Sequence, residues 1–408
     1  MAEDLTIWLF GDRVASVAEL RNKRMRLVYT HQALAKYELG TPLLSIGLPL
    51  TDVYYPPAKT KAFLDGLLPE EEQRRAVAEE LSLAATDTFG LIGRLGRDCA
   101  GAIIIQPARE PLKATSNTLT SSPLSDEEVS IKVANLRNAP LGISNNVRIS
   151  LAGVQEKLLL TRRPDGAWGD PIDGTPSTHI IKPEIRDYPN SVENEAFCMH
   201  LAHQLGNRTA SVDATEFGGR KVLVIKRYDR VVKDNGNVER VHQEDLCQVM
   251  SIPPRQKYQE DGGPSLARVA RVLRDSGRPD SLLRLLQATF VNVLVGNGDA
   301  HGKNISLLHH RDGSVELTPL YDVMSTLYYG DDKLAMYVDD VRRTSQVTRE
   351  RLSNEARSWG MRADAIDVTL DELIDRVPTA VSVAAEKTNG LPEKILKIVE
   401  SQLKQLKR

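Results

Sequence analysis

Nine residues constrain this chain more than any others: Gly296-Asn297-Gly298-Asp299-Ala300-His301-Gly302-Lys303-Asn304. They follow directly on Ser281–Val295, where apolar residues recur at helical spacing. Asp299 and Asn304 stand in the Asp-x-x-x-x-Asn spacing of a kinase catalytic loop. The chemistry needs an acidic group to orient an attacking hydroxyl and take its proton, and an amide oxygen nearby to hold magnesium. A short loop can aim both at one point. Downstream, Ile305–Leu308 reads as a strand, Asp312-Gly313 as a turn and Val315–Thr318 as a second strand, before Tyr321-Asp322. Catalytic loop, hairpin, then a metal-binding Asp is the order that phosphoryl-transfer enzymes of this kind use. Val323 and Met324 stand where Phe-Gly is usual. Taken singly, Asp299 and Asn304 read as turn formers and Asp322 as a helix cap; the spacing, the hairpin and the upstream helix together favour phosphoryl transfer. Gly302-Lys303 also looks like the end of a P-loop, but Asn304 replaces the Ser or Thr that binds magnesium, and Asn297 stands where the first glycine belongs. His309-His310 has no further ligand spacing to make a metal site.

The rest of the composition sets outer bounds. A length of 408 residues predicts about two to three domains. The 53 basic and 55 acidic residues leave a net charge of −2. With 41% apolar and 26% charged residues, wholesale disorder is excluded, and so is a uniformly basic nucleic-acid coat. No apolar run is long enough to span a bilayer, and the opening MAEDLTIWLFGD lacks the basic start of a secretory signal. Cys99, Cys198 and Cys247 are far apart with no CxxC pair, which argues against a disulfide framework or a Cys-rich zinc site. The expected compartment is the reducing cytoplasm, with no membrane partner.

Along the chain, residues 1–110 read as a small N-terminal domain, 111–148 as a linker leading into a β-rich lobe, 149–240 as that lobe, and 241–408 as a helical lobe. The first domain carries strand-like Thr6–Phe10 and Arg26–Tyr29, a helix over Ala58–Leu68, and a Glu-rich helix from Pro69, a residue suited to a first helical position. The Ser-, Thr- and Pro-rich stretch 107–128 reads as a linker or a mobile surface loop. Lys157–Arg162, Thr178–Lys182, Ser211–Phe217 and Lys221–Tyr228 are expected strands, the last two a hairpin around Gly218-Gly219. Helices are expected over Ser191–Leu205, Ser265–Asp275, Ser281–Val295 and the tail from Pro392, where Ile395, Val399, Leu403 and Leu406 share one face.

The β-rich lobe offers the other half of a nucleotide site. Ser150-Leu151-Ala152-Gly153-Val154-Gln155-Glu156-Lys157 joins two strand-like segments. With one glycine it is a poor Gly-rich loop by pattern, but its backbone amides can cradle phosphates and Lys157 can add charge. Lys182 ends an apolar strand, where a buried ammonium needs an anionic partner. A strand lysine followed by a helix bearing Glu193 and Glu195 resembles the phosphate-binding Lys and helix Glu of kinases; an edge lysine pointing into water is the plain alternative.

ISLAGVQEK, THIIKP, VIKRYDR, QEDLCQ, DGGP, NGDAHGKN and PLYD occur in that order across Ile149–Asp322. In combination they resemble the HipA family of bacterial serine/threonine kinases, the toxin halves of type II toxin–antitoxin pairs. The resemblance implies an α+β, two-lobed protein-kinase-like fold with an extra N-terminal subdomain. It implies ATP and Mg2+ as cofactors, with Asp299 as catalytic base and Asn304 and Asp322 holding magnesium. Ala152, Gly153, Val154, Gln155, Glu156 and Lys157 would embrace the phosphates and Lys182 would contact them. Lys226-Arg227-Tyr228 would form the hinge, with Tyr228 against adenine; some relatives have Glu-Arg-Phe there. His301, Gly302, Lys303 and Asn304, with Tyr321 and Asp322, would line the nucleotide site. Ser150 matches the serine that family members autophosphorylate, which would place its hydroxyl near the ATP phosphates. A small helix-turn-helix antitoxin, operator DNA bound through the antitoxin complex, and an aminoacyl-tRNA synthetase of the glutamyl type as phosphorylation target are the implied partners. A small-molecule kinase of the same fold, or a catalytically silent corepressor, are the competing functions. The Ser150 loop and the N-terminal domain favour a protein kinase over the first, and the intact Asp299, Asn304 and Asp322 argue against the second.

Overall fold

The computed structural model describes residues 3–112, 119–136, 141, 150–153, 155–172, 174–310 and 313–408. Contacts divide the chain into two compact units: Met1–Pro183 with Thr215–Arg255, and Glu184–Ala214 with Gln256–Arg408. The architecture is α+β, with strands concentrated in the first unit and long helices in the second.

The first unit opens with a four-stranded antiparallel sheet in the order Met25–Tyr29, Asp12–Glu19, Leu5–Leu9, Ile103–Pro107. Phe10 and Gly11 both take positive φ, 52° and 89°, and so reverse the chain between the first two strands. Leu5, Ile7, Leu9, Val14, Val17 and Leu27 fill its core, together with Phe63 and Leu64 of the helix Pro57–Gly66. Pro69 does not open the Glu-rich helix: that helix runs Glu71–Glu80, with Glu70 as its N-cap.

A second sheet has the order Ser121–Leu124, Trp168–Pro171, Leu158–Arg162, His179–Pro183, Arg220–Lys226, and then Val212–Phe217, whose Thr215–Phe217 end belongs to this unit. Stretch 107–128 is therefore not simply a linker. Ser121–Leu124 is an edge strand paired antiparallel with Trp168–Pro171. Ser125 then starts the helix Asp126–Ala134: its hydroxyl accepts from the Glu128 amide while the Glu128 carboxylate accepts from its own N–H. Both elements are short, with Leu124 in the strand and Val129, Ile131 and Val133 in the helix set among polar residues, so neither leaves a clear apolar period in the sequence.

In the second unit, helices Ser191–Gln204, Leu266–Ser276, Ser281–Val295, Arg349–Ser358, Ala363–Glu386 and Glu393–Leu406 surround two hairpins, Ser306–His309 with Val315–Leu317 and Lys333–Val338 with Val341–Arg343. Gly206 at φ 89° follows the first helix, and Gly296 at φ 66° caps the third. The tail helix packs on Ser281–Val295 and buries Ile395, Val399 and Leu406, while Leu403 is half-buried. Among the described residues, no helix is long and apolar enough to cross a membrane.

Candidate active site

The second unit builds the loop that carries Asp299. Gly296 ends the buried helix in the left-handed region, which turns the chain sharply back on itself. Gly298 then passes so close to the next segment that any Cβ would strike the Lys333 carbonyl, and its own carbonyl accepts from Ala335 N–H at 2.7 Å. Its N–H donates to the Thr326 hydroxyl at 2.8 Å. The loop is thus pinned on both sides before Asp299 begins.

Asp299 itself is held at three points. Its N–H donates to the Asn297 side chain at 3.0 Å. Its carbonyl accepts from His301 N–H at 2.7 Å and from the Asn304 amide nitrogen at 2.9 Å. Its carboxylate Oδ1 accepts from the Tyr258 hydroxyl at 2.7 Å. Burial pushes the Asp299 carboxyl up to about 6; the Tyr258 hydrogen bond and Lys257 pull it down, while Asp322 and Asp331 push it further up. A carboxyl at that value is charged at neutral pH yet basic enough to take a proton.

The Asn304 amide nitrogen is committed to Asp299, which leaves its oxygen as the group available to a cation. Asp322 sits at φ 59° at the end of the hairpin, a left-handed position that Asp tolerates better than most residues. The hydroxyl of Tyr321, the residue before it, bonds to the Lys303 carbonyl at 2.7 Å and to the Ser306 hydroxyl at 2.6 Å, tying the Asp322 segment to the Asp299 loop. Buried Val323 fills the place of the usual Phe. Among the described residues no three His, Cys, Asp or Glu side chains form a metal cluster. One carboxylate and one amide oxygen is a donor set that suits Mg2+ shared with phosphates, since this ion keeps much of its shell in water or phosphate oxygens. His301 and Lys303 are buried beside these groups, and the His301 Nδ1 accepts from Lys303 N–H at 3.3 Å.

The first unit holds the remaining candidates. Lys157 is buried, and its ammonium donates to the Ala152 carbonyl at 2.8 Å, closing the loop into a ring. Gly153 lies at φ 123°, and a Cβ there would collide with that ammonium. Its carbonyl accepts from Glu70 N–H at 3.2 Å. Gln155 reaches the Pro183 carbonyl at 3.4 Å, and Glu156 is half-buried; Val154 lies outside the described residues. Lys182 is buried on its strand opposite Leu223. Of the expected hinge, Lys226 is exposed and the half-buried Tyr228 donates its hydroxyl to Gln243.

One placement narrows the sequence reading and another differs from it. The Arg227 side chain does not face solvent or a nucleotide: it donates to Asp229 at 2.9 and 2.8 Å, to the Ser177 hydroxyl at 2.8 Å and to the Cys99 carbonyl at 3.0 Å. Its N–H donates to the Thr178 carbonyl at 2.9 Å, so only its carbonyl is left for a hinge. Ser150 is fully buried; its hydroxyl donates to the Leu67 carbonyl at 2.5 Å and its N–H to the Asp98 carbonyl at 3.1 Å. In this conformation the hydroxyl faces the N-terminal region instead of an open phosphate site.

Asp98 and Tyr258 are the residues that sequence reasoning missed. Asp98, fully buried, accepts from Arg230 at 2.8 Å, Arg240 at 2.6 Å, and the Ser177 hydroxyl and N–H at 2.6 and 2.9 Å. Burial alone would raise its carboxyl, but Arg230, Arg227, Arg240 and Ser177 outweigh that and hold it far below the usual carboxylate range. The only sequence trace is a polar pair, Arg97-Asp98, amid apolar residues. Tyr258 has a better signal, the nearby DGGP segment, which enters the sequence reading only as part of the family resemblance and with no site role.

Comparison with known proteins adds a second, independent line. Residues 149–381 match the HipA-like C-terminal domain, and residues 5–106 match the HipA N-terminal domain. The chain is 35% identical over 394 residues, 95% of its length and 93% of the other's, to a Sinorhizobium fredii protein named as a kinase, Y4mE. It is 32% identical over 340 residues, 78% of its length and 76% of the other's, to the serine/threonine-protein kinase toxin HipA of Shewanella oneidensis. The solved complex of HipA, HipB and operator DNA from Shewanella oneidensis MR-1 contains a chain that superimposes with a TM-score of 0.83 at 27% identity, covering 98% of this chain and 95% of that one. The kinase-like α+β fold expected from the sequence is borne out by that match.

Proposed function

Since the chain belongs to the HipA family of serine/threonine kinase toxins, we propose that it transfers the γ-phosphoryl group of ATP to a serine of an aminoacyl-tRNA synthetase, the glutamyl enzyme first among candidates. The observation that carries this reading is Asp299: a buried carboxyl raised to about 6, fixed by Tyr258, with the Asn304 oxygen and Asp322 close by in the fold. In this role Asp299 accepts the proton of the attacking hydroxyl. Asn304 and Asp322 hold Mg2+, which neutralises phosphate charge when bound. Ala152 to Lys157 with Lys182 contact the phosphates, Lys226 to Tyr228 hold adenine, and His301, Gly302, Lys303 and Tyr321 complete the nucleotide site. Incubation with labelled ATP and Mg2+, alone and with cell lysate, tests the reading. Besides the chain itself, label should enter one synthetase-sized protein of the lysate; label confined to small molecules would make this a small-molecule kinase, and no label at all would make it a corepressor.

A helix-turn-helix antitoxin of the HipB type neutralises the kinase in this reading, and the pair binds operator DNA. The chain's net charge of −2 gives it little capacity to neutralise DNA phosphates by itself, so DNA contact falls mainly to the antitoxin. A likeness to a HipA in complex with HipB and operator DNA supports this.

Autophosphorylation of Ser150 is the proposed off-switch. The phosphate would add about −1.5 to −2 charges to a residue now seated without solvent against two backbone carbonyls. A phosphoserine cannot donate to the Leu67 carbonyl or remain in that seat, so the loop must leave it. ATP affinity, measured by calorimetry, should be much lower for phosphorylated protein and recover after phosphatase treatment; equal affinity in both samples would remove the mechanism.

A further inference from the structure

We infer that Tyr258 is a positioning residue for Asp299, and that the Asp261-Gly262-Gly263-Pro264 turn serves to set it in place. The inference rests on reading Asp299 as the base. Lys257 and Tyr258 form a two-residue strap across the catalytic loop. The Lys257 carbonyl accepts from Gly302 N–H at 3.0 Å, the Tyr258 hydroxyl donates to Asp299 Oδ1 at 2.7 Å, and the Tyr258 ring stands edge-on to His301 at 5.2 Å and 81°. One strap therefore touches three residues of the loop.

The strap is rigid because the glycine turn folds back on it. The Tyr258 carbonyl accepts from Asp261 N–H at 3.1 Å and from Gly263 N–H at 2.9 Å. Gly262 lies at φ 89°, where a side chain is strained. A Cβ on Gly263 would strike the Gln256 carbonyl and lie 2.6 Å from that of Tyr258, so only glycine allows the close return. Arg268 donates to the Gly263 carbonyl at 3.1 Å, and Gln259 accepts from Tyr337 N–H at 2.8 Å, bracing the turn from two further sides.

The consequence is directional. A carboxylate at the end of a short side chain can rotate about its last bond, and either oxygen can face the substrate. A fixed phenol on Oδ1 stops that rotation and reserves Oδ2 for the incoming hydroxyl. Positioning of this kind acts on the transfer step and leaves nucleotide binding alone.

Tyr258→Phe keeps the ring and its contact with His301 but removes the hydroxyl. Single-turnover transfer from labelled ATP to the acceptor isolated by the labelling experiment should slow about 10- to 100-fold, the range for losing a hydrogen bond to a charged group. KM for ATP and the thermal unfolding midpoint should stay unchanged. A wild-type transfer rate, or a loss that appears in KM or in the unfolding midpoint instead, would overturn the inference. Asp299→Asn is run beside it. If that variant is inactive while Tyr258→Phe is normal, the positioning role alone falls; if Asp299→Asn is itself active, the base assignment falls first.

Discussion

Asp299→Asn is expected to reduce phosphoryl transfer by about 10²- to 10⁴-fold, the usual contribution of a positioned general base. Little else should change. The Asn oxygen can still accept from the Tyr258 hydroxyl, and the backbone bonds to Asn297, His301 and Asn304 do not involve the carboxylate. Fold and ATP affinity are therefore retained, and the loss falls on kcat. The pH profile gives an internal control. The base works when deprotonated, and burial places Asp299 at about 6, so wild-type kcat should fall tenfold per unit as pH drops below about 6. The residual rate of Asp299→Asn should lack that acid limb. A variant with near wild-type kcat and the same limb would exclude Asp299 as the base.

Asp98→Ala is expected to destabilise the protein by about 3–5 kcal/mol, the cost of removing one partner from a buried ionic cluster. The arithmetic follows from who remains. Arg227 and Arg230 keep Asp229, at 2.8 and 2.9 Å. Arg240, almost fully buried, keeps backbone acceptors such as the Gly174 carbonyl at 3.1 Å but loses its close carboxylate. The Ser177 hydroxyl and N–H lose their acceptor as well. Against a total stability of about 5–15 kcal/mol, that is a large share. Urea unfolding checks it: the midpoint should fall with little change in slope, and an unchanged midpoint would mean that the cluster relaxes without cost.

The elements legible in the sequence were those that carry their own punctuation. Ser281–Val295 is an apolar helix closed by Gly296, and the structure places it at the same two ends. The tail helix shows its face through Ile395, Val399 and Leu406. The order of Asp299, Asn304, hairpin and Asp322 is local and survives in one dimension. What could not be read was made by distant partners. The strand Ser121–Leu124 exists because Trp168–Pro171 lies beside it, not because its residues favour a strand. Ser150 was legible as a loop residue, but its acceptors, Leu67 and Asp98, come from the N-terminal region far earlier in the chain. Tyr258 reaches Asp299 only once the glycine turn has closed.

The Asp98 cluster also has a consequence for synthesis on the ribosome. Arg240 follows Asp98 by 142 residues, a delay of roughly 7–28 s at about 5–20 residues per second. For most of that interval, until Arg227 and Arg230 are made, the nascent chain holds a carboxylate whose native counterions do not yet exist, and an isolated charge cannot be buried. Strands Leu5–Leu9 and Asp12–Glu19 can pair at once, being neighbours in the chain. The corner around Arg97–Gly101 must stay hydrated until Arg227, Arg230 and Arg240 have been translated. A chain terminated before Arg227 therefore cannot close this part of its core.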